Sequence, residues 1–312
     1  MTDAKIVPHL WFDHEAVEAA TFYASVFPRS EVEHVGKLPG TPSGDCDVVA
    51  FHIHGQPFLA ISAGPLFTRN PSVSFIVNFD PGRMQDAAGS LEQVWARLSE
   101  RGTVRMPLGA YPFSKRYGWV EDRYGVSWQL ILTDPSGEER PFVVPSLLFC
   151  GKAAGQAEKA IEHYVQVFGD ARRGATVRYP EGMGPDRAGT LMFADFRLGD
   201  TWLAAMDSAR MHGFGFNEAI SLLVQCEDQA ELDRLWAGLS ADPASEQCGW
   251  LKDRFGVSWQ VAPRELQRMV RQGTPEQVAA LVQAFLPMRK LDVATLRRAF
   301  EQARPLPGQR HA

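Results

Sequence analysis

The chain has 312 residues, 45% of them hydrophobic and 22% charged, which supplies apolar material for two cores and excludes a mainly disordered polymer. With 32 Lys and Arg against 37 Asp and Glu the formal net charge is −5, so charge alone draws the chain neither to nucleic acid nor to an anionic membrane. No apolar run reaches the length of a membrane span, and the opening MTDAKIVPHLWF does not read as a secretory signal. Ile6–Phe12 reads as a strand. Glu15–Val26 reads as a helix, with apolar positions at Ala16, Ala19, Ala20, Tyr23 and Val26. Strands follow near 31–37, 47–54 and 56–62. The order then restarts with strand Val73–Phe79, a helix over 85–100, and strands near 103–106, 117–121 and 126–132. This is βαβββ, twice.

The pattern itself is duplicated. GWVEDRYGVSWQ at 118–129 and GWLKDRFGVSWQ at 249–260 share nine of twelve residues. Around this anchor Pro8–Phe12 aligns with Pro145–Phe149, GQPFLA at 55–60 with GDTWLA at 199–204, and NPSVSFIV at 70–77 with NEAISLLV at 217–224. Two homologous units result, 1–135 and 141–262, joined by a linker rich in turn residues. Between Leu98 and Gly118 lie 19 residues, but between Leu239 and Gly249 only nine, so the second unit has lost most of one strand and its loop. Residues 263–312 form a tail with no strand pattern. Helices are expected at Pro275–Leu286 and Asp292–Phe300, packing on the second unit or on a partner chain.

PHLWFD with its downstream FY, the two GVSWQ segments, FNEAISLLV and the tail MRKLDVATLRRAF resemble the vicinal oxygen chelate superfamily of glyoxalase I, extradiol dioxygenases and bleomycin-resistance proteins. Within it they are most similar to the PhnB-like family, labelled 3-demethylubiquinone-9 3-methyltransferase. The resemblance implies an α+β fold of tandem βαβββ modules forming curled mixed sheets, with a helical tail. It also implies a cup in which metal-using members hold an ion with four His or Glu ligands. Carried over, those positions fall on His9, Ala60, Ser72 and Gln129 in the first unit, and on Ser146, Ala204, Ala219 and Gln260 in the second. His9 and Gln129 are the weak metal candidates, and two neutral ligands do not make a tight site. His52 and His54 share a strand face. They join His9 and Gln129 if that face lines the cup; the alternative puts Phe51 and Ile53 on the core side and both histidines in solvent.

By strand alternation Ser127 and Gln129 share a face, as do Ser258 and Gln260, while Trp128 and Trp259 anchor the opposite, core side. His9 and Trp11 line the cup with Gln129, the mixture of aromatic ring and few polar groups found in small-molecule pockets. The four cysteines, Cys46, Cys150, Cys226 and Cys248, form no CxxC pair, which suits a reducing cytoplasm. Cys248 is expected to be inert, with His212 as the nearby base in sequence. The glycine loops 182–184 and 213–215 lack a GxGxxG context, and the βαβββ order is wrong for a doubly wound methyltransferase sheet, so that activity is not expected despite the label. Lys115 and Arg116 read as solvated loop charges.

The expected function is metal-independent binding of a small molecule, lined by His9, Trp11, His52, His54, Ser127 and Gln129, with Ser146, Ser258 and Gln260 in the second-unit cup. No cofactor, nucleic-acid or membrane partner is expected. The units are expected to pack as an internal pseudo-dimer, with a homodimer as the further possibility. The alternatives are a metal-dependent lyase, isomerase or dioxygenase using His9 and Gln129, and a structural role with the tail as docking surface.

Overall fold

The computed structural model of the protein describes residues 4–303. The first three residues and the last nine of the expected tail, 304–312, lie outside the described residues. Four modules follow in chain order. The first is β1 (Ile6–Phe12), α1 (Ala16–Val26), β2 (Glu31–Thr41), β3 (Gly44–Ile53) and β4 (Gln56–Ser62). The second is β5 (Val73–Phe79), α2 (Ala87–Ser99), β6 (Thr103–Tyr111), β7 (Ser114–Glu121) and β8 (Ser127–Leu132). The third is β9 (Val143–Phe149), α3 (Ala157–Phe168), β10 (Ala171–Arg178), β11 (Leu191–Leu198) and β12 (Thr201–Asp207). The fourth is β13 (Ile220–Cys226), α4 (Gln229–Leu239), β14 (Trp250–Lys252) and β15 (Ser258–Pro263), with no counterpart of β6. The tail is α5 (Arg264–Gln272), α6 (Pro275–Phe285) and α7 (Val293–Gln302). The fold is α+β, with two curled mixed sheets and helices at the C-terminal end.

The modules do not pair within their own unit. The seven-stranded sheet runs β14-β15-β13-β1-β4-β3-β2 and joins modules one and four. The eight-stranded sheet runs β10-β11-β12-β9-β5-β8-β7-β6 and joins modules two and three. Each junction is an antiparallel pair of first strands, with His9 opposite Ser221 in one and Ser74 opposite Ser146 in the other. Each unit is instead held together on the helix side. Phe58 of β4 meets Phe75 of β5 at 5.3 Å between ring centroids. Tyr23 of α1 donates its hydroxyl to Asp122 at the start of the GVSWQ segment, at 2.8 Å.

Asp122 explains why the repeated segment is so fixed. One carboxylate oxygen accepts the amides of Tyr124 and Val126, and the other accepts the Trp128 indole N–H and the Tyr23 hydroxyl. Asp253 does the same with Phe255, Val257, Trp259 and Tyr164. Burial pushes both carboxyls up from the usual range, and the four donors on each oppose that push. Gly125 and Gly256 close the turns at φ +77° and +88°, where a side chain would be strained. Trp128 and Trp259 are fully buried beneath the helices.

The tail fills the place of the missing strand. The amides of Cys248 and Gly249 donate to the carbonyls of Met288 and Arg289, at 2.7 and 2.8 Å. From there α6 packs on β2, at the far edge of the same sheet. The tail therefore spans from the second unit to the first, rather than packing on the second unit alone. Its first helix, α5, adds to the two helices the sequence predicts, and Arg264–Gln272 carries no broad apolar stripe that would mark it.

Candidate functional site

Each sheet curls into a cup whose wall is shared by two units. This corrects the expected grouping: His9 and Trp11 stand in the seven-stranded cup, while Gln129 and Ser127 stand in the eight-stranded one. The ring of four positions also shifts. His9 lies opposite Leu59 on β4 and Ser221 on β13, and Gln260 reaches Ser221 with its amide at 2.9 Å. Ser146 lies opposite Ala204 and Ser74, and Gln129 donates to Ser74 at 2.8 Å. Ala60 is turned to the helix-side core and Leu59 takes the cup position. Ser72 and Ala219 precede their strands, and Ser74 and Ser221 replace them.

In the seven-stranded cup the ring is packed by its own side chains. Trp250 of β14 lies edge-on to His9 at 5.6 Å and to Trp11 at 6.1 Å, and Trp11 meets Phe67 at 5.1 Å. The Trp11 indole donates to the Gly64 carbonyl. His9 is buried, its Nδ1 has no hydrogen-bond partner among the described residues, and burial lowers its pKa to about 4. Ser258 is buried nearby on β15, with an unpartnered hydroxyl. His52 stands opposite the Phe51 and Ile53 face, with Nε2 4.0 Å from a Glu33 carboxylate oxygen. His54 leaves the strand in a left-handed conformation, φ +51°, and stacks on Phe142 at 4.3 Å, so it belongs to neither cup.

Beside this plug a cavity of about 240 Å³ remains between the sheet and α5. Its sheet wall carries Val7, Ala50, Pro57 and Leu59, with Gln225 and Glu33 at its ends. Its roof is one face of α5. The sequence carries a signal for this site that apolar periodicity does not detect: a polar residue every third or fourth position from Arg264 to Gln272.

The eight-stranded cup is filled differently. Ile76, Val144 and Ala204 cluster at its base, with Ile131, Phe193 and Trp202 packed against them. The Tyr117 hydroxyl donates to Gln129 Oε1 at 2.7 Å and Gln129 passes the chain to Ser74. The Trp119 indole donates to Ser127. Ser146 is fully buried, with its hydroxyl unpartnered. Arg140 grips Asp195 through two nitrogens and lies 3.9 Å above the Trp202 ring.

These donors do not fit a divalent ion. The seven-stranded ring offers one imidazole beside Leu59, a serine and a glutamine already bonded to each other; the eight-stranded ring offers two serines, a glutamine and an alanine. Among the described residues no group of three or more His, Cys, Asp or Glu is placed around a common point. Cys248 donates to the Leu286 carbonyl and burial raises its pKa, while His212 bonds Ser208; each is occupied with a different partner. A wider groove of about 1,050 Å³ runs past Lys152, His212, Phe214 and Arg254, open at the fully exposed Met211.

Paired βαβββ modules around two cups define a tandem vicinal-oxygen-chelate protein. The chain belongs to the 3-demethylubiquinone-9 3-methyltransferase family, whose model matches residues 4–131 and again 141–262. A PhnB protein of that description from Bacillus cereus is 34% identical over 42% of this chain and all of its own, with a TM-score of 0.37. Glyoxalase I from Zea mays, in a V278E mutant, aligns over 84% of this chain and 95% of its own at 10% identity and TM-score 0.54, which is a likeness of fold. Among curated proteins none matches the chain. No helix among the described residues is long and apolar enough to cross a membrane.

Proposed function

We propose that the protein binds a small molecule in the seven-stranded cup, beneath α5, without a metal ion. The observation that carries this reading is the cavity of about 240 Å³ that persists beside the packed His9–Trp250–Trp11 cluster. An apolar floor facing a few polar groups is the usual make-up of a ligand site, and the volume, just below the 300–1,000 Å³ of drug-sized sites, suits a small ligand. The cup entered by His9 and Trp11 is thus the binding cup, but its working wall is Val7, Leu59 and Ala50 rather than the ring itself. Methyl transfer is not proposed: neither sheet has the doubly wound order that cradles a nucleotide-like methyl donor.

A thermal-shift screen of small oxygenated metabolites in the presence of a chelator tests this. At least one ligand is expected to stabilise the protein, and Leu59→Trp, which fills the floor, is expected to abolish that shift while the variant stays folded. Stoichiometric Ni, Zn, Mn or Fe that survives dialysis and is lost on His9→Ala would overturn the metal-free reading in favour of a lyase, isomerase or dioxygenase.

A further inference from the structure

Helix α5 borders the cavity with its polar side. Arg264, Gln267, Arg268, Arg271 and Gln272 fall at i, i+3, i+4, i+7 and i+8, which places them on one helical face. All five line the cavity. Leu266, Met269 and Val270, on the other side of the helix, join the hydrophobic core. A helix that only covers an apolar sheet lays its apolar stripe on that sheet. Here three arginines line the cavity together with Val7, Ala50, Pro57 and Leu59.

The charges on this roof are incompletely matched. Glu33 lines the same cavity and holds Arg271, with 2.8 Å between Nη1 and Oε1. Arg264 pairs at the rim with the exposed Glu227 at 2.9 Å. Arg268 has no hydrogen bond or ion pair among the described residues. Its exposed guanidinium lines the same cavity as the apolar floor, and such forks match the two oxygens of a carboxylate.

We propose that the ligand of this cavity is a small amphipathic carboxylate. Its apolar body rests on Val7, Pro57 and Leu59, and its anionic end meets Arg268, with Arg271 beside it. This deepens the binding reading above and rests on it. The apolar floor favours a carboxylate with a hydrocarbon body over a bare inorganic anion, which would leave that floor facing water.

Calorimetric titration of the full chain with benzoate, benzyl alcohol and inorganic phosphate tests the assignment. Benzoate is expected to bind one to one, benzyl alcohol at least ten-fold more weakly, and phosphate not to displace benzoate. Arg268→Gln, at an exposed position, is expected to weaken benzoate about ten-fold, with benzyl alcohol binding unchanged. Leu59→Trp is expected to abolish both. Equal binding of benzoate and benzyl alcohol, or an Arg268→Gln variant with unchanged benzoate affinity, overturns the carboxylate assignment and leaves the pocket standing. Displacement of benzoate by phosphate overturns the amphipathic class. If neither organic probe binds, or Leu59→Trp changes nothing, the pocket reading falls as well.

Discussion

The two cups are built from equivalent strands, yet a helix roofs a cavity in one and an apolar cluster lines the other. In the eight-stranded sheet every module contributes a full set of strands, and Ile76, Val144 and Ala204 close the base under Trp202 and Phe193. In the seven-stranded sheet module four lacks the strand that would flank β14. The tail supplies backbone carbonyls from Met288 and Arg289 in its place, and so brings α5 and α6 across the concave side. The polar stripe of α5 lines the cavity with arginines. The tail that bonds beside β14 is thus the same segment that roofs the cavity.

The strongest way to break this comparison is to separate the units. A fragment of residues 1–135 leaves β1 and β5 without their antiparallel partners β13 and β9, two long unpaired edges. It is expected to form a two-fold dimer in sedimentation, β1 against β5 of the second copy. A folded monomer would show that the cross-unit pairing is not needed. Next in size is the buried aspartate of each unit. Asp122→Ala strands the Tyr23 hydroxyl, the Trp128 indole and two amides, and is expected to cost about 3–5 kcal/mol in chemical denaturation. Asp253→Ala is expected to cost the same, because its four donors are the same.

The sequence shows the repeat plainly because the Asp122 and Asp253 turns tolerate so little change: in each, the aspartate accepts two backbone amides and the indole of a buried tryptophan, and a positive-φ glycine closes the turn. Which module pairs with which is not local information, since each first strand presents the same kind of edge. The slip from Leu59 to Ala60 has a turn as its cause. The β3–β4 hairpin turns on His54-Gly55, both at positive φ, whereas β11–β12 turns on Gly199-Asp200 with glycine in the first place. Aligning the two glycines therefore shifts the strand by one residue and reverses its faces. Helix α5 is not legible from apolar periodicity, because its periodicity is that of Arg and Gln.

The cups also differ in one titrating group. His9 stands where the other cup has Ser146, and burial depresses its pKa to about 4 from an ordinary 6.5. Between those values the unfolded chain binds a proton that the native chain does not. Stability is therefore fully present above pH 6.5 and is lost as pH falls toward 4, by at most about 3 kcal/mol from this group. Burial also lowers the values of His54, His163 and His212, so the comparison must be made by difference. His9→Ser, which copies the other cup, is expected to flatten the decline between pH 6.5 and 4 relative to the parent in urea titrations. An unchanged slope would mean that the native fold accommodates a charged His9.

The smallest effect lies in the two glutamines. Gln129 is buried and holds both Tyr117 and Ser74, whereas Gln260 is less buried and bonds Ser221, with Cys248 standing near the position of that tyrosine. Tyr117→Phe removes one donor from a buried amide and is expected to cost about 1 kcal/mol. Gln129→Leu strands two partners and Gln260→Leu one, so the first is expected to be the more destabilising by about 1 kcal/mol in denaturant melts. If Gln260→Leu proves the costlier, the polar ring of the seven-stranded cup carries more of the fold than its packing implies, and its residues are held for structure before they are held for a ligand.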